Sequence, residues 1–349
     1  MKIDYQTLNL KVQDHLAGEE ESEFPNSLGM SKVGAPCVRS LWYSFNYCDK
    51  SKFKNRIKLI LNRGTYEEKN IISLLEKIGL TIISPHDGKN SKDSFKYAIL
   101  GGKIKGVLDG IITHGVPEAP EKAHVLEIKT MNSSNFKDME KNGLQKSKIE
   151  HFVQLQLYMH VSEIDRGIYV AINKNTDEIY VERVKYSKSI CEMYLSRANQ
   201  VVNENQPPKR LTEDSSFFQC KMCSFVEVCH GNKLPLANCR TCDFFDIKTG
   251  VCGYWTKQKS EEKKPDINTQ KKGCSKHVYK KSLMSTLLDS ETVVNIDESN
   301  YKISVKGKYI NIGHDNLTTN DIKTLPLEIL KEGAIADFQE SFGNVHVAD

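Results

Sequence analysis

Four stretches of the chain space their hydrophobic residues at helical intervals. In residues 63–79, RGTYEEKNIISLLEKIG, apolar side chains recur every three or four positions before a closing glycine, which predicts an amphipathic helix. Further helices are predicted over 149–161 and over 187–203. A fourth is predicted around the apolar residue Trp42, with Pro36 at its first helical position.

Other stretches carry β-branched residues in runs that glycine or proline bounds, as strands do. Strands are predicted in YAIL (97–100), KIKGVLDGIIT (103–113), AHVLEIKT (123–130), GIYVAIN (167–173) and EIYVERVKY (178–186). Because helices precede and follow these strands, the predicted fold class is α/β, with a mixed central sheet flanked by helices. Near the C-terminus, YKISVKGKYINIG (301–313) predicts a small β-containing appendage.

Composition and charge limit the possible partners and the possible location of the protein. The chain has 349 residues and a net charge of only +4, so total charge does not indicate a nucleic-acid partner. No apolar run reaches the roughly 18 residues of a membrane span, and the N-terminus lacks the apolar core of a signal peptide. The predicted location is the cytoplasm, or the host cytoplasm if a phage encodes the protein. Disulfides rarely persist there, so most of the ten cysteines are predicted to bind metal.

Acidic and basic residues between 106 and 130 have the pattern of a phosphodiesterase site. Alternation along Val-Leu-Glu-Ile-Lys places Glu127 and Lys129 on one face of a strand, with Leu126 and Ile128 towards the core. Asp109 interrupts the preceding apolar strand, where a carboxylate is costly unless it is paired or binds a metal. Carboxylates beside a lysine can hold Mg²⁺ and stabilise the charged transition state of phosphodiester hydrolysis. The alternative is an exposed strand face with a Glu–Lys ion pair.

The next predicted helix carries Gln154 and Tyr158, four residues apart on one face. The chain thus contains GxxD at 106–109, ExK at 127–129 and QxxxY at 154–158, in that order. This order resembles the PD-(D/E)XK nuclease superfamily, and within it the RecB-like exonucleases. These include the CRISPR-associated iron–sulfur nucleases, the AddB nuclease domain and phage recombination exonucleases.

The resemblance implies a restriction-endonuclease-like core that uses Mg²⁺ or Mn²⁺. The catalytic residues it implies are Asp109, Glu127, Lys129, Gln154 and Tyr158. It also implies that Glu68, four residues after Gly64, joins Asp109 and Glu127 as a metal ligand, at a position where many relatives carry histidine. Alternatively, Glu67 and Glu68 are solvated acids in the first turn of their helix, which the helix dipole favours.

Eight of the cysteines are predicted to form two groups of metal ligands. Cys220, Cys223 and Cys229 form a tight trio, and Cys37 stands far before them. Spacing alone does not distinguish a Cys₄ zinc site from an iron–sulfur cluster. Iron–sulfur members of the RecB-like group have one cysteine before the catalytic motifs and three after them, so the resemblance implies a 4Fe-4S cluster.

The second group has zinc-ribbon-like spacing and contains Cys239, Cys242, Cys252, Cys274 and His277. Five candidates compete for four positions. The simplest set is Cys239, Cys242, Cys274 and His277, and Cys252 can replace one of them. Cys48 and Cys191 fit neither group and are predicted to pack in the interior. Among the histidines near the motifs, His151 is the one to test.

These features divide the chain into four predicted segments. Residues 1–30, acidic in the middle, form an N-terminal arm, and 31–235 form the nuclease core, closed by the iron–sulfur cluster. Residues 236–280 bind zinc, and 281–349 are the small C-terminal appendage. The Lys-rich stretch 257–281 is predicted to be a surface linker or basic loop.

The predicted function is a metal-dependent DNA exonuclease acting in recombination, repair or end processing. Its predicted partners are DNA and helicase, recombination or annealing proteins, and no membrane. The stretch 257–281 can neutralise phosphates, as can the lysines before the acidic motif, Lys92, Lys96, Lys103 and Lys105. One alternative is a structure-selective or restriction-type endonuclease on the same core. Another is a non-catalytic nucleic-acid-binding module held together by an iron–sulfur cluster and zinc.

Overall fold

The computed structural model describes residues 5–18, 25–50, 55–86, 92–289, 292–297, 299–314 and 316–342. The chain forms two compact units. Unit 1 comprises Met1–Ala35 and Lys52–Asn199, and unit 2 comprises Pro36–Ser51 and Gln200–Asp349. The acidic residues of the predicted arm, 19–24, lie outside the described residues. This division into two units does not test the four segments predicted from the sequence, which stay a prediction.

The strands of the described residues are, in chain order, β1 (Leu28–Gly29), β2 (Thr81–Ile83), β3 (Lys96–Ile99), β4 (Ile104–Val107), β5 (Gly110–His114), β6 (His124–Met131), β7 (Arg166–Asn173), β8 (Ile179–Lys185), β9 (Val293–Asn295), β10 (Asn300–Val305) and β11 (Lys308–Gly313).

The helices of the described residues are, in chain order, α1 (Tyr5–Gly18), α2 (Val38–Phe45), α3 (Asn55–Lys77), α4 (Ser133–Asn142), α5 (Leu144–Ser147), α6 (Ile149–Ser162), α7 (Lys188–Asn203), α8 (Phe218–Lys221), α9 (Val226–Cys229), α10 (Gly253–Lys259), α11 (Ile267–Lys272), α12 (Lys281–Leu287), α13 (Thr319–Thr324), α14 (Leu327–Glu332) and α15 (Ala334–Phe342). Among these helices, none combines the length and the apolar character that crossing a membrane requires.

Unit 1 is built on a five-stranded sheet with the order β2-β5-β6-β7-β8. β6 and β7 are parallel while the other neighbours are antiparallel, so the sheet is mixed. A parallel pair requires a crossover connection, which α4, α5 and α6 supply between these two strands. In the register of this pair, Glu127 lies opposite Tyr169 and Lys129 lies opposite Ala171.

Alternate residues of the central strands face different helices. Leu126 and Ile128 pack with Ile71 of α3 in one hydrophobic core. The opposite face carries Gly167, where an added Cβ would come within 3.0 Å of Leu155 on α6. The sheet is therefore covered by α3 on one face and by α6 on the other. The predicted α/β fold, with a mixed sheet flanked by helices, is confirmed.

A second sheet in unit 1 has three strands in the order β1-β4-β3. β1 and β4 are parallel, and β3 and β4 are antiparallel. β4 ends at Val107, and β5 begins at Gly110 in the five-stranded sheet. The prediction of one strand over 103–113 is therefore wrong, because the chain leaves one sheet and enters the other at residues 108 and 109.

Unit 2 contains many short helices and turns and an antiparallel sheet of order β11-β10-β9. The β10–β11 hairpin turns through Lys306 and Gly307, whose φ angles of 48° and 81° suit a two-residue type I′ turn. This hairpin is the β structure predicted over 301–313. The Asn238 side chain donates hydrogen bonds to the carbonyls of Asn46 and Tyr47, at 3.2 and 3.1 Å, which joins the segment Pro36–Ser51 to the rest of the unit.

The predicted helices are present, with shifted ends. The helix predicted over 63–79 is α3, which begins earlier, and those over 149–161 and 187–203 are α6 and α7. α2 begins at Val38 and not at Pro36, because Cys37 is its N-cap. The stretch 257–281 contains the end of α10 and all of α11, whose N-cap Asp266 accepts two backbone N–H bonds. The stretch lies mostly at the surface, as predicted for a linker or basic loop, but the part that forms α11 is helical and the prediction is wrong there.

Candidate active site

β6 places Glu127 and Lys129 side by side on the face of the sheet opposite the Leu126–Ile128 core. Glu127 is fully buried, and the side chain of Lys129 is 25% exposed. The Lys129 ammonium contacts Glu127 Oε1. Apart from this ion pair, neither carboxylate oxygen of Glu127 has a hydrogen-bond partner among the described residues. A buried carboxylate normally accepts several hydrogen bonds, so this side chain has room for a further positive partner.

Asp109 lies in the two-residue connection between β4 and β5, and the prediction that it stands in a strand is wrong. Its Oδ2 accepts a hydrogen bond from the backbone N–H of Ile128 at 2.8 Å. Lys129 Nζ lies 3.7 Å from the same oxygen. The main chain of β6 thus fixes the Asp109 carboxylate beside Lys129, and the structure brings Asp109, Glu127 and Lys129 together.

α3 contributes Glu68 to the same group. Burial, followed by the charge of Asp109, raises the pKa of Glu68, so these two carboxylates are close enough to interact. Because α3 begins at Asn55, neither Glu68 nor Glu67 stands in a first turn, and that alternative interpretation is wrong. Glu67 instead forms an ion pair with Arg63 at 3.8 Å.

His86 is a neighbour of Glu68 that the sequence motifs did not indicate. Its Nε2 lies 3.4 Å from Glu68 Oε2, and both side chains are less than a quarter exposed, at 17% and 24%. His86 follows β2, the strand that pairs with β5. No motif spacing connects it to the other site residues, and only the sheet order does so.

The carboxylates of this group disfavour one another's ionisation. Burial, followed by the charge of Asp109, raises the pKa of Glu127 to about 8. Burial lowers the pKa of Lys129, but the charges of Glu127 and Asp109 more than offset it and hold that pKa above its usual value. Lys129 is therefore an ammonium at neutral pH. A divalent cation beside these carboxylates would favour their ionised forms.

The donor chemistry of the group suits a hard cation. Carboxylate oxygens are the ligands that Mg²⁺ and Mn²⁺ prefer, and Glu68, Asp109 and Glu127 supply them. Within the described ranges, no three His, Cys, Asp or Glu side chains stand in a ready metal-binding arrangement. Glu68, Asp109 and Glu127 thus fit a cation by charge and donor type but are not already arranged around one, and their ligand roles stay a prediction.

Tyr158 holds the segment that presents Asp109. Its hydroxyl donates a hydrogen bond to the carbonyl of Val107 at 2.8 Å, two residues before Asp109. An added Cβ on Gly106 would lie 2.5 Å from this hydroxyl, so glycine is required there by close approach. Gln154 is also buried, and it hydrogen-bonds to Tyr158. The Tyr158 hydroxyl is thus bonded to the main chain two residues before Asp109, and the catalytic roles of Tyr158 and Gln154 stay a prediction.

Tyr169 and His151 lie on the same face as Glu127. His151 Nδ1 and the Tyr169 hydroxyl are 2.8 Å apart. Burial, and then the charges of Lys129 and Lys148, lower the pKa of His151 to about 3, so its ring is neutral beside the site. Tyr169 stands within the apolar run GIYVAIN, where a tyrosine suggests core packing. Only its register opposite Glu127 identifies it as a neighbour of the site.

The first group of cysteines, in unit 2, comes together from distant parts of the sequence. Cys37 Sγ accepts a hydrogen bond from the N–H of Ser40 at 3.4 Å, and Cys223 Sγ accepts one from Phe225 at 3.4 Å. Burial, and in part the charge of Cys37, raises the pKa values of the other three predicted ligands, Cys220, Cys223 and Cys229. Cys37 is therefore close enough to the other three thiols to influence their ionisation, although no three of these four described cysteines stand in a ready metal-binding arrangement.

The second group of predicted ligands lines one cavity in unit 2. The lining residues include Cys239, Cys242, Cys252, Cys274 and His277. The two cysteines predicted to pack in the interior are buried, with exposed fractions of 0% for Cys48 and 1% for Cys191. The burial predicted for Cys48 and Cys191 is therefore confirmed, while the ligand roles of the other eight cysteines and of His277 stay a prediction.

The lysines predicted to neutralise phosphates differ in their exposure and in their ion pairing. Lys96 forms an ion pair with Asp93 at 2.6 Å, which reduces its net charge contribution. Lys105 is exposed on β4, and Lys103 precedes that strand. The side chain of Lys92 lies outside the described residues.

Comparison with known proteins gives low similarities. No family model and no curated protein sequence matches the chain. A similar solved structure is SSO0001, with 21% identity, a TM-score of 0.40, and coverage of 64% of this chain and 93% of that chain. An alkaline exonuclease, LHK-Exo from Laribacter hongkongensis, has 12% identity and a TM-score of 0.34, over 50% of this chain and 86% of that one. Its complex with dAMP has 13% identity, the same TM-score of 0.34 and the same coverage, 50% and 86%. At these values, function must be argued from the residues of this chain.

Proposed function

We propose that unit 1 is a metal-dependent nuclease that hydrolyses phosphodiester bonds in DNA. The observation that carries the proposal is the fully buried Glu127, with Lys129 against it and Asp109 3.7 Å from the same ammonium. Glu68 adds a third interacting carboxylate. A structural ion pair gains nothing from two further acids, since each adds repulsion and a desolvation cost. The surplus of negative charge is what a divalent cation requires.

In this proposal Glu68, Asp109 and Glu127 hold Mg²⁺ or Mn²⁺, which when bound supplies an activated water and neutralises phosphate charge. Lys129 donates hydrogen bonds to the attacking water or to the phosphate oxygens as negative charge develops on them. Because its pKa is raised by the neighbouring carboxylates, Lys129 acts through its positive charge and not as a base. The Ile128 N–H keeps the Asp109 carboxylate turned towards the site.

The finer proposal is an exonuclease that acts from DNA ends in recombination, repair or end processing. It is supported by the order of the GxxD, ExK and QxxxY motifs, in which the chain resembles the RecB-like exonucleases. In this role, helicase, recombination or annealing proteins are the expected partners. A restriction-type or structure-selective endonuclease on the same residues is the competing proposal.

Unit 2 is proposed to bind a 4Fe-4S cluster through Cys37, Cys220, Cys223 and Cys229. The mutual influence of these thiols on their pKa values supports a common site, as do the N–H donors to Cys37 and Cys223. When bound, such a cluster would cross-link two segments that are remote in sequence, which opposes unfolding as any long-loop crosslink does. A Cys₄ zinc site with the same ligands is the alternative.

Two assays test these proposals. Purified protein with Mg²⁺ or Mn²⁺ is given linear duplex DNA, single-stranded DNA and covalently closed circular DNA. We expect degradation of linear DNA, no cut in the circle, and no cleavage in EDTA. Cleavage of the circle would favour the endonuclease, and DNA binding without cleavage under any divalent ion would support the non-catalytic module. Anaerobic purification should yield about four irons per chain with matching sulfide, and iron-free protein would remove the cluster proposal.

A further inference from the structure

A cavity of about 460 Å³ in unit 2 is lined by thiols from several separate turns. Cys239 opens a 3₁₀ turn, Cys239–Thr241, and Cys242 follows it. Cys252 is the N-cap of α10. Cys274 follows Gly273, whose φ of 67° ends α11. The four thiols thus reach one space from four points of the main chain.

Short main-chain pairings hold these turns together. Cys242 forms an antiparallel bridge with Tyr279, and Cys252 forms one with Phe245. Between these bridges, the N–H of Asp243 donates to Val278 at 2.8 Å. The pairings bring the turn at 242, the N-cap at 252 and the segment after 274 side by side. Their geometry is set by a few hydrogen bonds and not by a large sheet.

His277 lines the same cavity, but its ring is committed elsewhere. Nε2 lies 3.2 Å from Thr241 Oγ1, and Nδ1 lies 3.0 Å from Thr319 Oγ1. The ring is 5% exposed and meets Tyr279 edge-on, with ring centroids 4.8 Å apart. A histidine ligand needs one nitrogen on the metal while the other bonds a partner, and here both nitrogens face threonine hydroxyls.

We infer that unit 2 binds a structural zinc ion through Cys239, Cys242, Cys252 and Cys274, and that His277 is not a ligand. Four thiolates in a closed tetrahedral set are a common structural zinc site, and soft sulfur ligands select zinc over magnesium or calcium. Four thiolates around a divalent ion carry a net charge of about −2. Basic residues that line the same cavity can balance it: Lys259, Lys263, Lys264 and Lys276.

Zinc binding requires side-chain movement at this site. The described residues contain no three His, Cys, Asp or Glu side chains already in a metal-binding arrangement. A cysteine turns about a single side-chain torsion between staggered positions, so rotation of these side chains into the cavity is the movement that zinc binding would require first. The inference is independent of the proposed nuclease activity, because zinc content is measured without any substrate.

Zinc content of purified variants tests the ligand set. The wild-type chain, expressed with zinc supplied, should contain about one zinc per chain in this site, and Cys252→Ser should lower the zinc content by about that one ion. His277→Gln should retain it, even if the lost threonine contacts lower the melting temperature. Cys48→Ser, a change at a buried thiol outside the cavity, is the matched control and should also retain zinc.

X-ray absorption at the zinc edge of the wild-type protein supports the test if a variant fails to fold. The expected shell is four sulfurs at about 2.3 Å. A shell of three sulfurs and one nitrogen at about 2.0 Å would overturn the exclusion of His277. Wild-type protein without zinc, or Cys252→Ser that retains it, would overturn the proposed site.

Discussion

The two units hold their chemically active side chains by different means. In unit 1, Glu127 and Lys129 stand on an eight-residue strand whose other face belongs to a hydrophobic core of ten buried residues. In unit 2, most of the predicted cysteine ligands stand at the ends of, or within, helices and turns of three to eight residues. Helices this short are not stable alone, since nucleation costs more than a few hydrogen bonds return.

The difference indicates that one site depends on the fold around it, while the other site contributes to the stability of its fold. The core of unit 1 is complete without an ion, and its buried carboxylates are a cost that the sheet tolerates. The short elements of unit 2 are joined by single bridges, so a metal crosslink there would contribute directly to folding. We therefore expect metal removal to abolish function in unit 1 and structure in the cysteine-rich part of unit 2.

Metal removal gives the largest expected effect. Dialysis against EDTA should abolish DNA cleavage, and Mg²⁺ should restore it, while amide-exchange protection of β6 and α3 stays unchanged. A mercurial reagent that displaces thiolate-bound metal should instead remove protection from residues 239–280 and leave β6 protected. Loss of amide-exchange protection in β6 after EDTA alone would contradict the expectation that the fold of unit 1 does not depend on a metal.

Removal of the Lys129 ammonium has the second largest expected effect. Lys129→Met should reduce cleavage by about 10³-fold, because charge stabilisation of the transition state is lost. It should also lower the free energy of unfolding by about 3–5 kcal/mol, since Glu127 is left buried and unpaired. Glu127→Gln combined with Lys129→Met should recover most of this stability and none of the activity. A double variant no more stable than Lys129→Met would contradict the ion pair as the source of the loss.

Adjacent glutamates on α3 offer a matched pair of variants. Glu68→Gln should reduce cleavage by about 10²-fold, since its carboxylate interacts with Asp109. Glu67→Gln, which removes only an ion pair with a half-exposed arginine, should change cleavage less than about twofold. The check is the cleavage rate as a function of Mg²⁺ concentration. Equal effects at the two positions would remove Glu68 from the site.

The smallest effect concerns the packing that positions Asp109. Gly106→Ala should destabilise unit 1 by about 1–3 kcal/mol, because the new methyl group meets the Tyr158 hydroxyl. Gly64→Ala on α3 is the control: no atom lies within 4 Å of its added Cβ, and alanine favours a helix. Thermal unfolding measures both. Tyr158→Phe in the Gly106→Ala background should restore part of the stability, and no recovery would place the clash elsewhere.

Local sequence patterns predicted those features of unit 1 that a single strand or a single helix determines. The alternation around Glu127 correctly placed Leu126 and Ile128 in the core, because a strand has a fixed period of two. The break at Asp109 was missed, since β4 and β5 both carry β-branched residues and nothing local shows that they enter different sheets. His86 and Tyr169 were missed for a similar reason: strand order and register bring them to the site.

In unit 2, spacing grouped the cysteines but could not choose among the ligands. The sequence favoured His277 in the simplest set and offered Cys252 as a replacement, and the inferred preference for Cys252 depends on two threonines, one of them 42 residues from His277. Helix α11 was missed because its residues are mostly polar, and its start depends on the Asp266 cap more than on any apolar stripe.

The most direct test of the central claim is the Mn²⁺-dependent cleavage rate of wild-type protein and of Glu127→Gln, measured side by side on linear DNA. The substitution keeps the shape of the side chain and removes the buried carboxylate that carries the proposal. We predict that the variant folds with an unchanged far-UV spectrum and cleaves at least about 10³-fold more slowly. A Glu127→Gln protein that cleaves DNA at the wild-type rate would contradict a metal-dependent nuclease site in unit 1.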